Sequence, residues 1–334
     1  MNNLELLPQW FIVLYVVLLG LCTGSFLNVV ILRGLKGEGI VFKRSYCPKC
    51  NNQLKWYMNI PLLSYLFLGG KCAFCKDKIS IQYPFVEFIT ATAFLFIYFS
   101  FGLTLKTLFL CIIFALFIAM CVTDFKETVI IDIHAYILLG VGLLYSYLKL
   151  GDINIVQALI GAGFGFLIFE VLARLGKIFC GCRMFGEGDS LIALGLGAIF
   201  GWKNLLIIIA LSILIQGLCA IPILIVQSFK NKNKKLAFSY MFVFFAIILL
   251  FIFNQIELIN NYLLYSASTT VLTVFMLWSL KNILAEIRNK KLDDSKCEEE
   301  KFNLMPFGPA LLISATICIF FINEIKECAL SFFI

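Results

Sequence analysis

The sequence predicts an all-α bundle of about eight to ten membrane-spanning helices with one small zinc-binding loop domain. Hydrophobic residues make up 61% of the chain and charged residues 14%, and the mean hydropathy is +0.97. Soluble domains contain about 45–50% apolar and about 25% charged residues. The apolar residues form long runs separated by short polar connections, and one long polar segment carries two Cys-x2-Cys pairs.

Ten apolar runs are candidate spans, because a helix needs about 20 apolar residues to cross a hydrocarbon core about 30 Å thick. They are Trp10–Leu32, Pro84–Phe101, Leu105–Val122, Val129–Leu148, Ile153–Leu172, Ser190–Phe200, Asn204–Ser228, Leu236–Phe253, Leu258–Leu280 and Pro306–Ile322. Ser190–Phe200 is short for a span, and Gly201-Trp202 could bend it into the next run. The segment Met1–Glu5 lacks the basic region and the cleavage site of a signal peptide, so we expect the first run to be retained as a span.

The distribution of basic residues predicts how the spans are oriented. If the N-terminus lies outside, most of the 27 Lys and Arg residues fall in connections on the cytoplasmic side, including the long polar segment Arg33–Tyr83. This topology places Asp124 and Asp189 together at the cytoplasmic face of the plasma membrane. The net charge of +7 therefore reports orientation in the lipid bilayer, and we do not expect nucleic acid to be a partner.

Composition divides the chain into five parts. They are a first span in residues 1–32, a four-cysteine domain in 33–83, a transmembrane core carrying two aspartates in 84–228, further spans with polar connectors in 229–301, and a C-terminal span in 302–334. The connectors Lys230–Lys235 and Arg288–Lys301 are rich in charge and typical of solvated segments.

The polar loop has the cysteine spacing of a structural zinc site. Two Cys-x2-Cys pairs stand twenty-one residues apart, and two such knuckles supply four thiolates in a tetrahedral array. A loop of about fifty residues has too little core to fold alone, so metal binding would supply much of its folding free energy. A redox pair and chance spacing are the alternatives. The predicted Zn²⁺ ligands are Cys47, Cys50, Cys72 and Cys75.

Two aspartates stand at the ends of predicted spans. Asp124 ends the third span, and Asp189 follows Gly186 and Gly188 at the start of the sixth. A charge at membrane depth costs roughly 2.5–3.5 kcal/mol, so such a group usually has a partner or a function. Two carboxylates brought close together cannot both ionise cheaply, which suits aspartic proteolysis, where one acts as general base and the other as general acid.

Other readings of these residues remain open at this point. An aspartate at a helix start often only caps the helix, and this alone would account for Asp189. Asp132 is the rival for the first carboxylate, since it also lies near the face. His134 is the only histidine and has no evident serine partner, so we expect it to be structural.

Several further motifs accompany the aspartates and the cysteines. They are Gly24–Val30, Trp56–Ser64, Gln82–Glu87, Gly186–Asp189 and Met305–Pro309. Together they resemble the motifs of type IV prepilin peptidases, the Gly-x-Gly-Asp class of intramembrane aspartyl proteases. The resemblance implies that Asp124 and Asp189 are the catalytic pair and that a prepilin or pseudopilin is cut after the Gly of a short basic leader. It also implies methylation of the new N-terminal amine with S-adenosylmethionine as the donor.

The chain departs from this family in two places. Ile131-Asp132 stands where the family commonly has Pro-Asp, which leaves the role of Asp132 open. The spans predicted within 236–280 have no expected counterpart in shorter members. Four further residues are candidates for a substrate or methyl-transfer site, although an ordinary place at the membrane interface would also account for them. They are Glu87, Asn28, Trp56 and Asn59.

Two functions of other classes compete with the protease. One is a non-enzymatic membrane scaffold for pilus assembly that uses the zinc loop. The other is a transporter that uses the paired aspartates as a proton relay. Methyl transfer is the weaker enzymatic prediction, because the chain has no glycine-rich Rossmann signature.

Overall fold

The computed structural model describes residues 8–39, 45–180, 185–230, 241 and 306–331. Its helices are α1 (Gln9–Lys36), a 3-10 helix (Trp56–Asn59), α2 (Leu63–Phe67), α3 (Gln82–Phe101), α4 (Leu105–Glu127), α5 (Asp132–Tyr147), α6 (Ile155–Cys180), α7 (Glu187–Lys230) and α8 (Phe307–Ser331). Extended pairing in these ranges is limited to isolated β-bridges in the four-cysteine loop. The all-α prediction is therefore confirmed.

Within the ranges that the structure describes, five helices are long and apolar enough to cross a membrane. They are α1, α3, α4, residues Ile155–Ile178 of α6 and residues Glu187–Pro222 of α7, and a shorter apolar helix covers Phe307–Ile322 of α8. The prediction of a multi-pass membrane bundle is confirmed. The two spans predicted within 236–280 lie outside the described residues.

The connection between α4 and α5 differs from the prediction. α4 continues past its predicted span to Glu127, and Thr128 then takes a left-handed conformation with φ 52°. The N–H of Thr128 donates to the carbonyl of Asp124 at 2.9 Å, which closes the last turn. Residues 129–131 have no regular structure, so α5 begins at Asp132 rather than at Val129.

The predicted bend at Gly201 is present as a break inside α7. Gly201 has φ 71° and ψ 168°, a conformation that residues with a Cβ rarely adopt. The chain therefore leaves helical geometry between the residues predicted as two separate spans, and the short helix that begins at Glu187 ends there.

α1 and α3 pack against each other at two glycines spaced four residues apart. A Cβ at Gly20 would lie 2.6 Å from the Cα of Ala91, and a Cβ at Gly24 would lie 2.6 Å from the Cα of Glu87. Because the residue number rises along α1 while it falls along α3, the two helices are antiparallel. Small residues at this spacing are the usual means by which membrane helices approach closely.

α4 completes the packing of this helix pair and leads to the candidate site. A small core joins the three helices and is formed by Leu27, Ile31, Val86, Ala115 and Ala119.

The chain divides into two compact units. One consists of Met1–Arg174, Met184–Ile209 and Pro306–Ile334, and the other consists of Leu175–Arg183 and Ala210–Met305. Both aspartates and all four loop cysteines belong to the first unit.

Candidate active site

Asp124 lies in the last turn of α4 and is only 5% exposed. Its backbone carbonyl closes the helix, while its side chain points into the protein. The Oδ2 atom is buried and has no hydrogen-bond partner among the described residues. A buried carboxyl oxygen without a partner is uncommon in folded proteins and is frequent at functional sites.

Asp189 lies in the first turn of α7 and is 8% exposed. Its Oδ2 accepts a hydrogen bond of 3.1 Å from the backbone N–H of Gly186. Gly188 packs against the connection that follows α4, since a Cβ there would lie 2.7 Å from the Cβ of Ile130. The two glycines of the motif thus have separate tasks: one supplies an N–H to the carboxyl group, and the other admits the neighbouring chain.

The structure brings the two aspartates together. Ile130, in the connection that follows α4, packs on Gly188, the residue before Asp189. Gly308, in the first turn of α8, lies between the helices that carry them. A Cβ on Gly308 would overlap the Oδ2 of Asp124 and would lie 3.2 Å from the Cδ1 of Ile192, one turn beyond Asp189. Three helix ends therefore meet at the carboxyl pair.

Two residues weighed as alternatives lie in different surroundings. Asp132 is exposed at the first residue of α5, where a carboxylate interacts favourably with the helix dipole. His134 is buried two residues later, and its Nδ1 makes no hydrogen bond within the described part of the chain. Asp124 and Asp189, unlike Asp132, are both buried.

The four loop cysteines converge as predicted. Their Sγ atoms all lie within 4.8 Å of one another, and the Sγ atoms of Cys47 and Cys75 are 3.9 Å apart. A tetrahedral zinc ion with Zn–S bonds of 2.3 Å requires sulfur atoms about 3.8 Å apart. The donor set and its spacing fit one metal ion held by Cys47, Cys50, Cys72 and Cys75.

The two halves of this metal site repeat the same backbone pattern. In the first knuckle, Cys47 N–H donates to Asn52 O at 3.0 Å and Asn51 N–H donates to Cys47 O at 2.8 Å. The second knuckle has the same two bonds at 2.8 and 3.1 Å, from Cys72 N–H and from the N–H of Lys76. Asn51 and Lys76 both have positive φ. This repeated turn directs the two Sγ atoms of each cysteine pair toward the shared four-sulfur cluster.

Backbone amides also favour the thiolate form that a metal requires. Hydrogen bonds from the backbone N–H groups of Cys75 and Phe74 lower the pKa of the Cys72 thiol to about 7. Although a backbone hydrogen bond from Asp77 opposes this shift, burial and the neighbouring cysteine side chains raise the pKa of the Cys75 thiol to about 11, so a metal ion would have to displace the proton of Cys75. An exposed ion pair of 3.7 Å between Lys49 Nζ and Asp77 Oδ2 joins the two knuckles.

Glu87 and Asn28 lie together between α1 and α3. Glu87 is buried, and its Oε2 accepts a hydrogen bond of 2.8 Å from the N–H of Leu62. Asn28 is buried as well, and its Nδ2 donates to Gly24 O at 3.3 Å and to Tyr83 O at 3.1 Å. The Oδ1 of Asn28 has no partner among the described residues.

Trp56 and Asn59, the other two candidates, are exposed on the 3-10 helix of the loop. Two residues that contact the buried acids were not identified individually from the sequence. One is Gly308, which touches Asp124, and the other is Leu62, whose N–H reaches Glu87. The motifs containing them gave a signal, but only the fold assigns a partner to either residue.

Two family models match this chain. Residues 18–101 match the family model of the bacterial peptidase A24 N-terminal domain, and residues 111–221 match that of the type IV leader peptidase family. No solved structure matches the chain.

Curated relatives bear the name prepilin leader peptidase/N-methyltransferase. The one from Myxococcus xanthus is 36% identical over 60% of this chain and 60% of its own length. Those from Pseudomonas aeruginosa and Neisseria gonorrhoeae are 34% and 32% identical, over 64% and 66% of this chain and 81% and 85% of their own lengths. From these matches, the chain belongs to the type IV leader peptidase family.

Proposed function

We propose that this protein is a membrane aspartic endopeptidase that removes the short basic leader of type IV prepilins or pseudopilins. The single observation that carries the proposal is the meeting of two buried carboxyl groups, Asp124 and Asp189, at the ends of membrane helices. The family membership and the printed names of the relatives support the same activity.

Asp124 and Asp189 are proposed to share one proton and to activate one water molecule. The ionised carboxylate takes a proton from the water, whose oxygen attacks the scissile carbonyl carbon. The protonated carboxyl group donates its proton to the carbonyl oxygen, so that the tetrahedral intermediate carries no net charge on that oxygen. When the C–N bond breaks, the carboxyl group that received the water proton passes it to the leaving amine, and the other carboxylate takes back a proton from a hydroxyl of the intermediate as the carbonyl group re-forms. The pair is then ready for another cycle.

The position of the pair at helix ends suits this reaction. Asp124 closes α4 and Asp189 opens α7, so both stand where an apolar helix meets the membrane face. Water reaches such a face more easily than it reaches the bilayer centre. The basic residue distribution supports a cytoplasmic location for this face. A substrate with an apolar helix in the bilayer and a basic leader in the cytoplasm would present its scissile bond at this level.

The loop is proposed to hold a structural zinc ion through Cys47, Cys50, Cys72 and Cys75. Four protein thiolates close the coordination sphere and leave no position for a substrate, which is typical of structural rather than catalytic zinc. Bound zinc would fix the fold of residues 45–80 between α1 and α3.

The same protein is proposed to methylate the new N-terminus with S-adenosylmethionine. The names of the relatives support this second activity. Glu87 and Asn28 already make hydrogen bonds to backbone groups within the protein. We therefore propose that these two residues shape the region between α1 and α3, and that exposed Asn59 is free to contact a ligand.

Mass spectrometry of a prepilin incubated with the purified full-length protein tests the proposed function. We expect loss of the leader, with cleavage after its Gly, and an added methyl group when S-adenosylmethionine is present. An intact leader would favour the scaffold or the transporter, and proton-gradient-dependent uptake would identify the latter. Cleavage without methylation would retain the protease and remove the second activity.

Gly308→Ala is expected to reduce leader cleavage by about 10²-fold, because the added Cβ would overlap Asp124 Oδ2 and displace the carboxyl group. The measurement is the initial rate of cleavage per folded molecule, with folding checked by thermal unfolding. Gly163→Ala is the matched control, because a Cβ at Gly163 meets nothing within 4 Å. Equal rates for the two variants would contradict the placement of Gly308 against the pair.

A further inference from the structure

Residues 56–67, which contain the 3-10 helix and α2, expose an unusual number of large apolar side chains. Trp56 is 80% exposed and Phe67 86% exposed. The other exposed apolar residues of this segment are Tyr57, Ile60, Leu63 and Leu66. Apolar residues scattered over a water-facing surface are normal, but a contiguous patch of this kind marks a contact with a membrane or another protein.

The contacts of Leu62 fix the level of this segment relative to the membrane helices. Its N–H donates to Glu87, which stands five residues after the start of α3, about 8 Å along the helix axis. Glu87 in turn packs on Gly24 of α1. Gly24 stands nine residues before Arg33, the first charged residue after the apolar run, or about 13 Å along that helix. Leu62 therefore lies beside the membrane-spanning part of both helices.

Several backbone groups of the segment are hydrogen-bonded within it, which favours a position at membrane depth. Ser64 N–H donates to Ile60 O at 3.0 Å, and Leu66 N–H donates to Leu62 O at 3.1 Å. Leu62 itself stands before the first residue of α2 with φ 58°, where no helical carbonyl is available to its N–H. The carboxyl group of Glu87 accepts the hydrogen bond from this N–H, which gives a physical reason for a buried acid at this position.

The beginning of α3 also exposes large apolar side chains. Ile81, Phe85 and Phe88 lie at the same end of this helix and are all exposed. α3 is one of the helices long and apolar enough to cross a membrane, so this side of its first turns is a lipid-facing surface. Lys55 precedes the segment and lies 6.0 Å from the ring of Tyr57. Aromatic rings next to a basic side chain are typical of the headgroup region.

We propose that residues 56–67 insert into the lipid leaflet at which α3 begins, with the side chains of Trp56, Leu66 and Phe67 among the acyl chains and headgroups. The partner is the bilayer itself rather than a second protein. The inserted segment would hold the four-cysteine loop against the membrane surface at a fixed level. The proposal does not depend on the enzymatic activity, because it rests only on the α1–α3 packing and the exposure of the segment.

Tryptophan fluorescence of the full-length protein in lipid nanodiscs tests the insertion. Trp56 becomes the only tryptophan in the variant Trp10→Phe, Trp202→Phe, Trp278→Phe. We expect phosphatidylcholine brominated in its acyl chains to remove roughly half or more of the Trp56 emission, compared with unbrominated lipid. Acrylamide, a water-soluble quencher, is expected to have little effect.

The matched control carries its only tryptophan at Phe74→Trp, with all four native tryptophans replaced by Phe. Phe74 is 42% exposed and belongs to the second cysteine knuckle rather than to residues 56–67. We expect the opposite pattern there: strong quenching by acrylamide and little by brominated lipid. If the Trp56 reporter is poorly folded, Phe67→Trp in the background that lacks all four native tryptophans takes its place, and the same result is expected.

Two outcomes would overturn the proposal. If the reporter in residues 56–67 is quenched by acrylamide as strongly as the Phe74→Trp reporter, the segment lies in water. If it is shielded from both acrylamide and brominated lipid, protein covers the segment, and a second copy of the chain is the partner in this preparation.

Discussion

Asp189→Asn is expected to abolish leader cleavage, with the rate falling by about 10²–10⁴-fold, the usual contribution of a general acid or base. Asparagine keeps the shape of the side chain but neither takes a proton from water nor returns one to the leaving amine. Asp124→Asn is expected to have an effect of the same size. Because the two carboxyl groups are proposed to act as a unit, the double variant should be little worse than either single variant. The measurement is the rate at which the processed N-terminus appears, followed by mass spectrometry.

Asp132→Asn provides the control for this prediction. Asp132 lies only eight residues from Asp124 and carries the same charge, but it is exposed at the start of α5. We expect its replacement to leave the cleavage rate within roughly twofold, since surface substitutions have small effects. An Asp132→Asn variant as inactive as Asp124→Asn would move the catalytic role to Asp132. Normal cleavage by Asp189→Asn would remove the protease assignment.

Cys72→Ser is expected to release zinc and to unfold the four-cysteine loop. Structural zinc contributes on the order of 10–16 kcal/mol of binding free energy in small zinc domains, far more than the packing of so short a loop supplies. The zinc content of the purified protein, measured by elemental mass spectrometry, should fall from about one ion per chain to near zero. Residues 45–80 should at the same time become sensitive to limited proteolysis.

Cys22→Ser is the control for zinc binding, because Cys22 is an exposed thiol of α1 that lies outside the four-sulfur cluster. Its replacement should leave both the zinc content and the protease resistance unchanged. A Cys72→Ser protein that still binds a full equivalent of zinc would rule out the four-thiolate site. If both variants lose zinc equally, the loss reflects general damage rather than removal of a ligand.

The membrane architecture could be predicted from the sequence because it depends on local composition. An apolar run long enough to cross a bilayer can be recognised from the sequence alone, and α1, α3 and α4 lie where such runs were predicted. The end of α4 was placed too early. Hydropathy falls as soon as polar residues begin, whereas the helix continues until Thr128 adopts a left-handed conformation.

The four-cysteine cluster was also predictable, since two short-range spacings suffice to define it and the sulfur atoms converge as expected. The partners of Glu87 and Asp124 were not predictable. Leu62 reaches Glu87 and Gly308 reaches Asp124 only because distant segments fold together. An acidic residue in a predicted membrane helix indicates that its carboxyl group has a partner, but the sequence alone does not identify the residue that provides it.

The spacing of Gly20 and Gly24 along α1 limits how far this helix can slide against α3. Each glycine receives the backbone of one residue, Ala91 or Glu87, and displacement by less than a full turn would bring a side chain against that backbone. Glu87, which meets Gly24, also accepts the hydrogen bond from the N–H of Leu62, so one residue of α3 contacts both α1 and the loop. Together with the insertion proposed for residues 56–67, these contacts set the height at which the loop meets the bilayer.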